Sequence, residues 1–192
     1  MNKVAEFFSN IAENWDSMET TPSLKIDALL ARCNIKEGER VLDLACGTGI
    51  ITEKLIDLSH GKVIALDIAP KMIEIAIKKY KDNPLATFIV GDFLTVQFPE
   101  SFDKIIIYNA YPHFLDRDAF RDALLRNLKP GGEFAIVHSL SRAALDSHHH
   151  GIESISRSLL PVEQEAAFYE NDFDILDADE DDTHYFIRAK KK

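Results

Sequence analysis

Val41 to Thr52 reads VLDLACGTGIIT. An apolar run gives way to small residues and two glycines, and apolar residues then resume at helical spacing. The pattern is a short strand turning tightly into a helix. Two readings are open for its glycines. They serve a bound ligand that needs close backbone approach, or they serve the turn alone.

Composition narrows the setting. The chain has 192 residues, 46% hydrophobic and 28% charged, which suits one domain with a substantial core. The expected division is a single domain over 1–192, with N-terminal helices over 1–36 and a short lid or acceptor region over 139–170. The formal net charge is −10, and much of it lies in ENDFDILDADEDD, Glu170 to Asp182. An acidic chain without a basic stripe is a poor match to a phosphate backbone, so no nucleic-acid partner is expected. Cys33 and Cys46 form neither a CxxC pair nor a disulfide framework, which fits a reducing cytoplasm. The N-terminus is amphipathic and carries acids, unlike a signal peptide, and no apolar run approaches the roughly 20 residues of a membrane span. The oligomeric state is left open, a homodimer included.

Around the opening stretch a rhythm appears. Strands are expected over 40–45, 62–68, 86–90, 102–108 and 133–138. Helices are expected over 50–58, from Pro70, and over 116–128, the last stopped by KPGG. Upstream, Phe7, Phe8, Ile11 and Trp15 mark one helix face. Thr21-Pro22 opens a second helix, with Thr21 as its N-cap and Leu24, Leu29 and Leu30 as its apolar contacts. Downstream, 151–170 reads as one or two helices around Pro161. Apolar strands alternating with helices imply a parallel sheet covered on both faces. FDILDADEDDTHYFIRA then reads as two strands joined by an acidic turn, adding an antiparallel strand. The whole is a doubly wound α/β domain whose ligand crevice lies at the carboxyl ends of the strands.

The opening stretch is then the first strand-to-helix turn, at that crevice. The next strand ends in Asp67, 18 residues after Gly49. An acid there accepts hydrogen bonds from ribose hydroxyls, so turn and acid together point to an adenosine-like ligand. The third glycine of a dinucleotide fingerprint is missing, because Thr52 stands three residues after Gly49. Asp43 adds a carboxylate that repels a pyrophosphate but suits a zwitterionic amino-acid group or a sulfonium.

VLDLACGTG, VIALDIAPKMIEIA, VGDFLTVQFPESFDKIII and LKPGGEFAIVHS, in this order and spacing, resemble the class I S-adenosylmethionine-dependent methyltransferases. The resemblance is to the small-molecule branch that includes the ubiquinone/menaquinone-biosynthesis enzymes, and it covers roughly 1–140. It implies a Rossmann-like three-layer sandwich with a mostly parallel seven-stranded sheet and one antiparallel strand. It also implies S-adenosylmethionine as cofactor, S-adenosylhomocysteine as product and a small-molecule acceptor. Asp43, Ala45 and Gly47 would then line the methionine end, and Gly49 would let the backbone approach the cofactor. Asp67 would hold the ribose, Ile68 and Met72 would flank the adenine, and Asp92 and Phe93 would meet its amino group. Asn109 would face the methionine and the acceptor. Two departures stand out. Ala45 replaces the commoner glycine, a mild change if only backbone is used there. NAYPHF replaces the Asn-Pro-Pro-aromatic motif of enzymes that methylate bases or glutamine. Beside these roles, Asp43 and Asp92 could simply cap turns, and Met72 could be core.

Methyl transfer from a sulfonium needs alignment and exclusion of water, and a base only if the acceptor must lose a proton. His113, His138 and Tyr111 are the candidate catalytic groups. His148, His149 and His150 admit three readings: a polar lid that positions the acceptor, a divalent-metal site with Asp146 or His138, or a solvated helix start. Adjacent histidines on a helix point about 100° apart, so at most two share a metal, and the candidate set is His148, His149 and Asp146. Four functions compete: a small-molecule methyltransferase, a metal-linked one, a non-catalytic cofactor-binding module, and a dinucleotide oxidoreductase that the missing glycine and Asp43 disfavour.

Overall fold

The computed structural model describes residues 2–148 and 154–192, His148 through its backbone only. Three short helical pieces come first: α1 (Lys3–Ile11), a 3-10 turn over Ala12–Asn14 that leads into α2 (Trp15–Met18), and α3 (Ser23–Ala31). The alternating body follows as β1 (Val41–Leu44), α4 (Thr52–Ser59), β2 (Val63–Asp67), α5 (Pro70–Lys79), β3 (Ala86–Val90) and β4 (Phe102–Tyr108). Then come a 3-10 turn (Tyr111–His113), α6 (Arg117–Asn127) and β5 (Leu128–His138). α7 (Arg142–His148), α8 (Val162–Ala167), β6 (Phe173–Glu180) and β7 (Tyr185–Lys191) complete the chain.

The seven strands form one sheet in the order β3-β2-β1-β4-β5-β7-β6. β7 runs antiparallel to both β5 and β6, and the other pairings are parallel. This is the expected doubly wound sheet with its one antiparallel strand. Successive residues of a strand point to opposite faces, and in the central strands β1 and β4 both faces are buried. Leu42, Leu44, Ile105 and Ile107 join Phe120 and Leu124 of α6 and Val162 and Ala166 of α8 in one core. Val41, Val63, Ile106 and Val137 join Leu29 and Leu30 of α3 and Leu55 and Ile56 of α4 in the other. The strand order reverses between β1 and β4, so the two strands' carboxyl ends diverge into loops on either side of one crevice.

Local differences have local causes. KPGG does not end a helix in a free turn: β5 begins at Leu128 and already includes Lys129 to Gly132. Its register against β4 shifts between Phe102 and Lys104. Gly131 has φ +74°, and a side chain on Gly132 would come within 2.9 Å of the Phe102 carbonyl oxygen, so this irregular strand start needs both glycines. At α3, Pro22 rather than Thr21 is the N-cap, and the Thr21 hydroxyl meets the Ser139 hydroxyl at 2.9 Å. Leu24 is 83% exposed, and Ile26 takes its place in the core. Around Pro161 only α8 is helical among the described residues.

Candidate active site

The turn after β1 is built by backbone geometry and two acids. Ala45, Gly47 and Gly49 have φ values of +57°, +55° and +83°. The chain thereby folds back so that Gly49 N–H donates to the Cys46 carbonyl at 2.9 Å. The left-handed region costs an L side chain roughly 1–2 kcal/mol, so alanine at 45 is a strained residue and not the mild exchange expected. Gly49 is fixed by crowding as well. A β-carbon there would stand 2.9 Å from the Tyr80 ring, and the Tyr80 hydroxyl donates to the Gly49 carbonyl at 2.6 Å.

Asp67, at the end of β2, accepts from Gly47 N–H through Oδ2 and from Ala69 N–H through Oδ1, both at 2.8 Å. Burial pushes its carboxyl up to about 6, against the pull of those backbone donors. Asp43 lies inside β1 and accepts from Thr52 Oγ1 at 2.6 Å. Burial, with the charge of Asp67 added, pushes it up to about 7. Two carboxylates and a row of left-handed turn residues thus meet at the end of β1. Ile68 is half-buried beside Asp67, and Met72 is buried on the first turn of α5.

Asp92 caps the turn after β3, accepting from Leu94 N–H at 3.0 Å. Phe93 is buried against Phe120 and Phe114, with ring centroids 5.8 and 6.4 Å away. Asn109, after β4, has φ +52°. Its Oδ1 accepts from Ser139 N–H at 2.9 Å and its Nδ2 donates to Ser139 Oγ at 3.0 Å, joining the ends of β4 and β5.

The three catalytic candidates separate. His113 is half-buried; its Nδ1 lies 3.0 Å from the Ile155 carbonyl and its ring packs edge-on against Phe8 at 4.7 Å. Tyr111 is fully buried, and its hydroxyl lies 2.6 Å from both Glu165 Oε1 and the Tyr169 hydroxyl. Its phenol braces the core and does not face the crevice. His138 is likewise fully buried, its ring 6.2 Å from that of Tyr185. Of the metal candidates, His149 and the neighbouring His150 lie outside the described residues, as does the side chain of His148; Asp146 is half-buried. Among the described residues no group of three or more His, Cys, Asp or Glu side chains is placed to hold a metal ion.

Two features go beyond the sequence reading. The first is the contact of the N-terminal helices with the glycine turn, which makes them a strap. Phe8, Ile11 and Trp15 pack with Ala69 and Met72, and Asp16 accepts from Thr48 Oγ1 in the glycine turn. A lone tryptophan one residue before an acid was the available signal. The second is a fully buried Glu165, paired with Arg117 at 2.9 Å and Arg157 at 3.1 Å. Arg157 also binds the backbone on both sides of His113, its N–H donating to the Pro112 carbonyl and its Nε to the Phe114 carbonyl. Nothing in the sequence separation of these residues announces it.

Residues 41–132 match the methyltransferase domain family. The ubiquinone/menaquinone biosynthesis C-methyltransferase UbiE of Vibrio campbellii is 33% identical over 176 residues, covering 84% of this chain and 66% of that one. A Haloferax volcanii methyltransferase, solved in complex with the Trm112 activator, superposes with a TM-score of 0.82 at 21% identity, over 96% and 97% of the two chains. The N-methyltransferase NodS of Bradyrhizobium japonicum WM9, solved with S-adenosylhomocysteine, superposes with a TM-score of 0.76 at 16% identity, over 100% and 99%. Turn residues, buried acids and strand order fit an S-adenosylmethionine site, and the chain belongs to the class I S-adenosylmethionine-dependent methyltransferases.

Proposed function

We propose that this enzyme methylates a small, ring-bearing acceptor seated between Asn109, His113 and the N-terminal strap. The observation that carries the proposal is the His113–Phe8 contact beside Asn109, which brings a polar group and an aromatic wall to the carboxyl end of β4. The relatives named for quinone biosynthesis support an acceptor of this kind.

In this reading Asp67 receives the ribose hydroxyls, Gly47 and Gly49 give backbone room at the methionine end, and Asp43 faces its charge. Ile68 and Met72 wall the adenine, with Asp92 and Phe93 at its edge. Bound S-adenosylmethionine supplies an electrophilic methyl for in-line displacement. The chain supplies alignment and a dry site, with Asn109 tying the floor and the strap closing the roof. A carbonyl only accepts, so His113 carries a proton on Nδ1 where it meets the Ile155 carbonyl, which fixes the ring beside the acceptor. The lid spans 139–170. The free Cys33 and Cys46 support a cytoplasmic setting, and the acidic charge argues against nucleic acid.

Transfer of a labelled methyl group to a panel of phenols, quinols, amines and thiols tests the reading. Turnover of ring-bearing acceptors, weakened in His113→Ala at unchanged cofactor affinity, supports it. Turnover of aliphatic amines or thiols alone would overturn it.

A further inference from the structure

The strap and the glycine turn touch in a way that bears on how the cofactor enters. A β-carbon built on Gly47 would stand 3.1 Å from Trp15 Nε1, 3.6 Å from Cδ1 and 3.8 Å from Cε2. The Gly47 α-carbon is one bond further away, about 1.5 Å, so the indole rests directly on it. An atom seated between two others needs roughly 7 Å or more between them, twice an ordinary contact distance. No ligand atom fits between Trp15 and Gly47 while this contact stands.

The same strap is fastened at three further points. Asp16 accepts from Thr48 Oγ1, next to Gly47, and pairs with Lys79 Nζ of α5 at 3.1 Å. Phe8 lies edge-on to Trp15 at 5.6 Å and to His113 at 4.7 Å. Beyond α2, Thr21 meets Ser139, which Asn109 holds. One continuous segment therefore spans the glycine turn, the wall formed by Ala69 and Met72, and the loop that carries His113.

We infer that the strap is a gate: Trp15 and the methionine end of the cofactor compete for the face of Gly47, and Trp15 must leave that face for the cofactor to seat. The inference rests on the reading that Gly47 lines the methionine end. Because Phe8 sits between Trp15 and His113, displacement of the indole also disturbs the aromatic wall of the acceptor side. Cofactor occupancy and acceptor-site shape are thereby linked through one segment. Asp16 is the latch, and its two partners hold Trp15 down.

Trp15 is the only tryptophan, so its emission reads this contact directly. Titration of the full chain with S-adenosylhomocysteine is followed in parallel by calorimetry and by fluorescence. A saturable emission change with the calorimetric midpoint is expected. In stopped flow the observed rate should level off at high ligand, at the rate of gate opening. Asp16→Ala removes a part-buried hydrogen bond and an exposed ion pair of modest strength, so association should speed up about two- to five-fold. Calorimetric binding with unchanged emission, or the same association rate in Asp16→Ala, overturns the gate while leaving the cofactor site intact. Absence of calorimetric binding overturns the assignment of Gly47 and the gate together.

Discussion

The carboxylate of Asp67 receives the backbone N–H of Gly47 at 2.8 Å, across twenty residues of chain. This bond ties the end of β2 to the turn after β1, so the acid expected at the ribose also shapes the glycine turn. Replacing it therefore acts twice, once on the ligand and once on the turn.

Asp67→Ala should weaken S-adenosylhomocysteine binding by about 10- to 100-fold, the worth of one or two hydrogen bonds to a charged group. Calorimetry measures it, and an affinity within three-fold of wild type removes the ribose assignment.

The two buried acids set a pH dependence of stability. Burial raises Asp43 to about 7 and Asp67 to about 6, from 3.8. In this range the folded chain holds protons that the unfolded chain releases. Their stabilising contribution is complete below about pH 4 and is lost as pH rises through 6 and 7. Between about pH 5 and pH 8 the wild type should lose stability relative to Asp43→Asn, which still accepts from Thr52 but carries no charge. Urea midpoints that stay parallel across the range would count against it.

Ala45→Gly should stabilise the chain by about 1 kcal/mol, because φ +57° suits glycine. For a domain of this size that is a rise of about 2–4 °C in Tm. A fall in Tm would mean that the methyl group contributes packing that outweighs the strain.

Tyr111→Phe removes a buried hydroxyl bound to Glu165 and Tyr169. Stability should fall by about 1–3 kcal/mol while kcat under folded conditions stays within a few-fold of wild type. A collapse of kcat with normal stability would return Tyr111 to the reaction.

His113→Ala should lower kcat by about 100-fold or more if the acceptor loses a proton to it, with cofactor affinity unchanged. A pH–rate profile that keeps its acidic limb in His113→Gln would assign the proton to another group.

Much of this was legible in the chain because the determinants are local. Apolar runs at 41–44, 63–67 and 102–108 announce buried parallel strands, and Gly47, Gly49 and Asp67 sit within one strand-helix-strand unit. What stayed hidden depends on packing between distant segments. Tyr111 and His138 look chemically apt, and both are fully buried; only the packing of distant segments such as α8 decides that. Likewise the Trp15–Gly47 contact joins segments whose periodicities are independent. Leu24 shows the converse: an apolar residue in a helix that the tertiary arrangement leaves facing water.

The docking of α3 has a consequence for synthesis of the chain. Lys25 of α3 donates to the Thr183 carbonyl, 158 residues later, and Arg32 grips Asp177, 145 residues later. A ribosome therefore releases α3 long before its polar partners in the β6–β7 hairpin exist. The N-terminal helices, though made first, gain those fastenings only when the closing hairpin joins the sheet, and such long-range closure is slow compared with helix formation.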